Sequence, residues 1–239
     1  MLSDITVVAD TPEEKDRAEA LAQLLGISLE QAQASIRLLV RGEGLALQTG
    51  KHKPLVPDFS WATLNKKRQE GRQQGIVRAC HPTKGVTIVD ATAGWGRDAT
   101  ILASFGAKVI LLERHPLMQL LLEDALSRRD ELSRNRLDMQ LIKMDALQWL
   151  LNLSSEESPD VIFMDPMHPL REKKALVKKD LQLLQQMIGP DEDALKLLEV
   201  ARMRAKKRVV VKWPKRQPSL AKPSYSVIGS TIRFDCFVN

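Results

Sequence analysis

The apolar and polar positions of this chain follow two different patterns. From Val86 onward, short apolar runs alternate with stretches whose apolar residues recur at helical spacing. Thr87-Ile88-Val89, residues 108–112, residues 139–143, Val161-Ile162-Phe163-Met164 and Val209-Val210-Val211 read as strands. Helices are expected over 99–105, 116–129, 146–153, about 180–188 and about 191–206. Strand and helix in alternation predict a mostly parallel sheet with helices on both faces. The tail, 224–229 and 231–238, reads instead as two strands in succession, hence an antiparallel pair at a sheet edge. The expected fold class is therefore α/β, Rossmann-like, with seven strands.

The first 80 residues are patterned differently. Ile5-Thr6-Val7-Val8 reads as a short strand. Thr11-Pro12-Glu13-Glu14 carries the signals of a helix start: a Thr N-cap, Pro at the first helical position and a Glu closing a capping box. Ala18, Leu21, Ala22 and Leu25 repeat at helical spacing, and Gly26 ends the helix. Residues 36–40 and 45–48 flank Gly42-Glu43-Gly44 and predict a hairpin. This is a small α+β unit over 1–60. Residues 51–60, with two prolines, read as a linker, and 65–78 as a basic helix leading into a larger domain over 61–239.

Composition narrows the class. The chain has 239 residues, 44% hydrophobic and 28% charged, which is globular rather than disordered. No apolar run reaches the ~18 residues of a membrane span. Met1-Leu2-Ser3-Asp4 lacks the basic and apolar regions of a signal peptide, so a cytoplasmic location is expected. Cys80 and Cys236 are isolated and the four histidines scattered, which predicts free thiols and no metal site. A monomer is expected.

Charge adds a partner. The net charge is +6 and the pI near 9.4. The cations cluster: Lys66-Lys67-Arg68 with Arg72; Arg171, Lys173, Lys174, Lys178 and Lys179; Lys206-Lys207-Arg208 with Lys212, Lys215 and Arg216. Any one patch reads as a solvated face. Three of them, one directly after Asp165, point to a polyanion surface.

Candidate chemistry gathers at strand ends, where open α/β sheets bind ligands. Asp90 opens the loop Ala91-Thr92-Ala93-Gly94-Trp95-Gly96-Arg97-Asp98. Gly94 and Gly96 stand in a strand-to-helix turn, where missing side chains let backbone N–H groups approach a ligand. With Ala99 the spacing is G-x-G-x-x-A, which equally suits a dinucleotide. Asp90 and Asp98 would repel a pyrophosphate. They suit a ligand carrying an ammonium and a sulfonium, namely S-adenosylmethionine. Glu113 ends the second strand, where an acid binds ribose hydroxyls. Asp145 ends the third, where it either reaches an adenine amine or caps a helix. Arg97 and Arg114 pair either with these acids or with the cofactor carboxylate.

At the fourth strand end stands Asp165-Pro166-Met167-His168-Pro169, which resembles the [Asp/Asn]-Pro-Pro-aromatic motif of amino-methyltransferases. An exocyclic base amine is a poor nucleophile because its lone pair is delocalised into the ring. A carboxylate accepting its N–H pushes density back and helps take the proton. The Pro166 turn can aim a carbonyl at the same amine, and His168, at the fourth position, can stack on a base drawn out of its helix. Lys173, Lys174, Lys178 and Lys179 could hold phosphates around that nucleotide. Lys212, ending the fifth strand, is a phosphate or cofactor contact or an exposed charge.

Taken together, residues 89–98, Leu112-Glu113-Arg114, residues 165–169, residues 173–179 and residues 207–212 resemble the ribosomal RNA small subunit methyltransferase J family over about 86–238. The resemblance implies a class I methyltransferase fold that uses S-adenosylmethionine to methylate the exocyclic N2 of a guanine in 16S ribosomal RNA. It places cofactor contacts at Arg97, Asp98, Glu113, Arg114 and Asp165, and another where Asp145-Ala146 stands. His168 stands where the family's motif carries an aromatic. Competing readings are methylation of another nucleic-acid base or a protein amide, a nicotinamide-dependent dehydrogenase, and a non-catalytic RNA-binding assembly factor. Cofactor binding separates the dehydrogenase, substrate competition the other methylations, and Asp165→Ala the assembly factor.

Overall fold

In the computed structural model, residues 4–31, 33–68, 71–167 and 193–239 are described. In chain order the elements are β1 (Ile5–Ala9), α1 (Lys15–Leu25), β2 (Ser28–Leu29), β3 (Ile36–Arg41), β4 (Gly44–Thr49), α2 (Trp61–Arg68), α3 (Gly75–Cys80), β5 (Thr87–Asp90), α4 (Arg97–Ser104), β6 (Lys108–Leu112) and α5 (Pro116–Ser127). They continue with α6 (Glu131–Arg136), β7 (Met139–Ile142), α7 (Ala146–Asn152), β8 (Val161–Met164), α8 (Ala194–Arg204), β9 (Arg208–Pro214), β10 (Tyr225–Ile228) and β11 (Ile232–Val238).

The described residues form two units. One comprises 4–58 with 115–128; the other, 59–114, 129–167 and 193–239. In the first, four strands are ordered β2-β1-β3-β4, with β1 parallel to both neighbours and β3–β4 the expected hairpin. The parallel β1–β3 pair requires a crossover, and α1 supplies one. Gly26, at φ 63°, ends α1 by donating its N–H to the Ala22 and Gln23 carbonyls. Thr11 stands at the expected N-cap with Pro12 following it, but of a 3-10 turn over Pro12–Glu14 that precedes α1, and its side chain makes no cap hydrogen bond. Glu14 instead lies 3.8 Å from Arg17. Asp124 of α5 is buried. It accepts hydrogen bonds from the Leu45 N–H at 2.9 Å, Arg128 Nε at 2.7 Å and Arg17 Nη2 at 3.1 Å. A buried carboxylate is tolerable because its lone pairs are so occupied.

In the second unit seven strands are ordered β10-β11-β9-β8-β5-β6-β7. The five from β9 to β7 are mutually parallel, while β11 runs antiparallel to β9 and β10 antiparallel to β11. This is the expected sheet, edge hairpin included. Its register lines Val89, Ile162 and Val209 side by side. Together with Met164 and Val211 they pack with Leu150 of α7 and with Leu197, Leu198 and Ala201 of α8. Side chains alternate across a strand, so Ile88, Val161, Phe163 and Val210 face the other way; they too are buried. Burial on both faces is why these strands read as unbroken apolar runs.

Two helix expectations change and a third is not covered. The helix expected over 65–78 is divided into α2, a 3-10 turn at Gly71–Gln73 and α3. Gly71 has φ 64°, outside the helical region. Gly75 lies against the Phe234 ring, where a Cβ would come within 2.5 Å. The helix expected over 116–129 stops at Ser127, and Asp130 starts α6 by accepting the Ser133 N–H at 2.8 Å. The helix expected near 180–188 lies outside the described residues. Among the described residues no helix is long and apolar enough to cross a membrane.

Candidate functional site

The parallel strands deliver their last residues to one rim of the sheet. Asp90 is the end of β5, Glu113 follows β6, Asp165 follows β8 and Lys212 lies near the end of β9. Between β5 and α4 the loop turns on two glycines, Gly94 at φ 51° and Gly96 at φ 67°, with Gly96 as the N-cap of α4. L side chains rarely adopt these angles, so the turn requires glycine.

The loop is tied to its neighbours on both sides. Gly94 N–H donates to Glu113 Oε2 at 3.0 Å, which orients that buried carboxylate beneath the loop. Thr92 N–H donates to Asp90 Oδ1 at 3.1 Å. Thr92 Oγ1 in turn accepts the backbone N–H of Asp165 at 2.6 Å. The glycine loop and the Asp165-Pro166 turn are therefore one hydrogen-bonded assembly, 73 residues apart in sequence.

The electrostatics centre on three acids and one cation. Lys212 Nζ donates to Asp165 Oδ2 at 2.6 Å and to Asp98 Oδ2 at 2.8 Å. All three side chains are mostly covered, exposed by 24%, 35% and 23% respectively. Burial opposes the Lys212 charge, but Asp165 and Asp98 outweigh it and raise its pKa above the ordinary lysine range. Asp90 is 1% exposed. Burial first, and then the charge of Asp98, pushes its carboxyl up to about 8. At neutral pH Asp90 therefore favours its protonated form, unlike the ionised acid expected from the sequence.

The outer positions are organised differently. Asp145 caps α7, accepting the Gln148 N–H at 3.0 Å. Arg114 Nη1 lies 3.6 Å from Asp145 and 3.2 Å from Asp193. Of the alternatives open for these two residues, helix capping and acid pairing are both realised. Arg97 is exposed at the start of α4, and Pro166 is buried in the turn after Asp165. His168 and the lysines from Lys173 to Lys179 lie outside the described residues. Lys212 and Thr92 are the residues whose place the sequence did not disclose. The available signal was that neighbouring parallel strands end at similar heights, so the fifth strand's last cation falls beside the fourth strand's acid.

These residues fit S-adenosylmethionine. The Trp95 side chain, between the two glycines, is 7% exposed. Its Nε1 is buried with no hydrogen-bond partner among the described residues. A buried orphan donor beside a glycine turn and an acidic strand end suits a polar ligand. Around it Asp98, Glu113 and Asp165 outnumber the Lys212 ammonium, which suits a cationic ligand. A cavity of about 630 Å³, lined in part by Thr87, Lys108, Trp149, Asp160 and Lys206, includes the first residues of β5 and β6 rather than this rim.

Comparison with known proteins points to one family. The SAM-dependent methyltransferase family matches residues 20–239. The chain is 49% identical over 224 residues to the ribosomal RNA small subunit methyltransferase J of Legionella pneumophila (strain Lens), covering 94% of this chain and 92% of the relative. It is 41% identical to the protein of that name from Thioalkalivibrio sulfidiphilus, covering 94% and 93%. A crystal structure of a SAM-dependent methyltransferase from Neisseria gonorrhoeae superposes with a TM-score of 0.74 at 28% identity, covering 98% of this chain and 95% of that one.

Proposed function

Given that the chain belongs to the ribosomal RNA small subunit methyltransferase J family of SAM-dependent methyltransferases, we propose that it methylates the exocyclic N2 of a guanine in 16S ribosomal RNA, in the cytoplasm. The observation that carries this reading is Asp165. Its backbone N–H is held by Thr92 of the glycine loop and its carboxylate by Lys212, so the acid that would meet the amine is built into the cofactor loop.

Each residue then has a role on this reading. Gly94 and Gly96 keep the loop free of side chains, so that backbone N–H groups and Trp95 Nε1 can contact the cofactor. Glu113 would hold the ribose hydroxyls, and Asp145 would lie toward the adenine. Arg97 would meet the cofactor carboxylate while Arg114 stays paired with Asp145 and Asp193, and Asp98 would lie toward the cationic part of the cofactor, with Asp90 as a neutral carboxyl beneath the loop. Asp165 would accept a hydrogen bond from the guanine amine, raising electron density on nitrogen as the N–C bond forms, and then receive the proton that nitrogen sheds. The Pro166 turn would direct a carbonyl at the same amine, and His168 would stack on the base. When bound, S-adenosylmethionine supplies the electrophilic methyl group. The residues' main contribution is alignment, since amine and methyl must approach in line.

Methyl transfer from labelled cofactor to small-subunit RNA lacking the modification, with mass mapping of the product, tests the reading. The expected product is N2-methylguanine. Asp165→Ala should lower kcat by at least about a hundredfold, the range for loss of a positioned acid–base group. No incorporation by the wild-type protein, or undiminished incorporation by Asp165→Ala, would refute it.

A further inference from the structure

Lys212 does not behave like the exposed cations of its patch. Lys206, Lys207, Lys215 and Arg216 are exposed. Lys212 points inward and bridges two carboxylates that come from different elements, Asp98 on α4 and Asp165 after β8. Its own strand cannot drift. β9 pairs in parallel with β8, up to Met164↔Val211, and antiparallel with β11, where Lys212 stands opposite Phe234. The ammonium is thus fixed by the sheet at the place where Asp165 must work.

From this geometry we infer that Lys212 is a positioning residue for methyl transfer: its ammonium keeps the Asp165 carboxylate ionised and fixed in orientation toward the acceptor amine. The inference rests on the reading of Asp165 given above. It extends that reading to a residue that would act through Asp165. The acceptor nitrogen takes the methyl group, leaves the bonding pair on the donor sulfur, and loses one proton, which Asp165 accepts. A protonated Asp165 would accept the hydrogen bond only weakly and could not take that proton. Lys212 is not itself the base, because the two carboxylates hold it fully protonated.

The surroundings are acidic: Asp90 of β5, Asp98 of α4 and the buried Cys80 thiol of α3 occupy the same neighbourhood as the Lys212–Asp165 pair. Without the Lys212 charge, Asp98 and Asp165 become a like-charged, mostly covered pair, which drives one of them to protonate.

The experiment compares the wild type with Lys212→Met and Lys212→Arg. The Asp165 carboxyl is followed by carbon NMR over pH in the protein alone, and kcat is followed over pH with labelled cofactor and RNA. In Lys212→Met the Asp165 pKa should rise by at least about one pH unit, the usual effect of losing an adjacent opposite charge. The acid limb of the kcat profile should rise by the same amount. At neutral pH kcat should fall at least about tenfold, while KM for RNA stays within about threefold. Lys212→Arg keeps the charge but alters its reach, so it should retain the wild-type acid limb with a reduced plateau. An unchanged Asp165 titration in a folded Lys212→Met protein would overturn the inference. If Lys212→Met does not fold, Lys212→Arg decides: an acid limb displaced despite the retained charge would overturn it equally. A wild-type protein that transfers no methyl group would refute the proposed reaction, whereas the titration, read without substrate, tests the Lys212 contact on its own.

Discussion

Asp90→Asn should make this protein more stable, and increasingly so as pH rises. Asp90 is 1% exposed, and burial lifts its carboxyl from 3.8 to about 8. The unfolded chain restores the ordinary value. Below about pH 3.8 both states hold the proton and no penalty exists. Between pH 3.8 and 8 only the unfolded chain ionises and so binds fewer protons, and stability falls with each rise in pH. Above about pH 8 the loss is complete. At ~1.4 kcal/mol per pH unit the ceiling is about 6 kcal/mol. Relaxation and water entry reduce this, so a difference of about 2–4 kcal/mol developing between pH 5 and pH 8 is the working expectation. Asparagine resembles the protonated acid in shape and can still accept the Thr92 N–H, so the native hydrogen bond survives. Urea denaturation of both proteins at pH 5, 6, 7 and 8, without cofactor, measures the difference; titrations common to both cancel. A difference that stays flat with pH, or a wild type that gains on the variant as pH rises, would refute the assignment of a neutral, desolvated Asp90.

Gly96→Ala forces an L residue to φ 67° at the start of α4, which should cost about 1–2 kcal/mol. Cofactor affinity by calorimetry should fall with it, because the same turn presents the loop amides; an unchanged melting temperature would contradict the strained turn. Asp124→Ala strips the acceptor from the Leu45 N–H and leaves Arg17 and Arg128 without their shared carboxylate. The two arginines remain partly solvated, so the cost is mainly that of the unsatisfied N–H, about 1–3 kcal/mol in urea, and no measurable loss would mean that the network is dispensable.

The elements of the larger unit were legible in the sequence because burial on both faces leaves each central strand an unbroken apolar run, and the strand–helix rhythm admits few topologies. Val161 to Met164 needed no tertiary information to read as a strand, and Gly26 none to end α1. Chemistry at strand ends was legible for the same reason: Asp90, Glu113 and Asp165 each stand immediately where an apolar run stops. Breaks imposed from outside a segment were not legible. Nothing within 65–78 announces that Gly75 must pass against Phe234, a residue from the far end of the chain. Nor does the cation cluster around Lys212 reveal which member turns inward. That depends on the pairing of β9 with β8 and β11, which sets Lys212 beside an acid 47 residues away and another 114 residues away. The charge state of Asp90 is likewise a property of the assembled rim. Composition supplies the carboxyl, but only folding removes its water and sets Asp98 nearby. The sequence thus determined which groups reach the site, being read locally along each strand. The tertiary structure decided which of them are charged and what each one holds, since solvation and Coulomb interaction depend on distances that the chain's order does not encode.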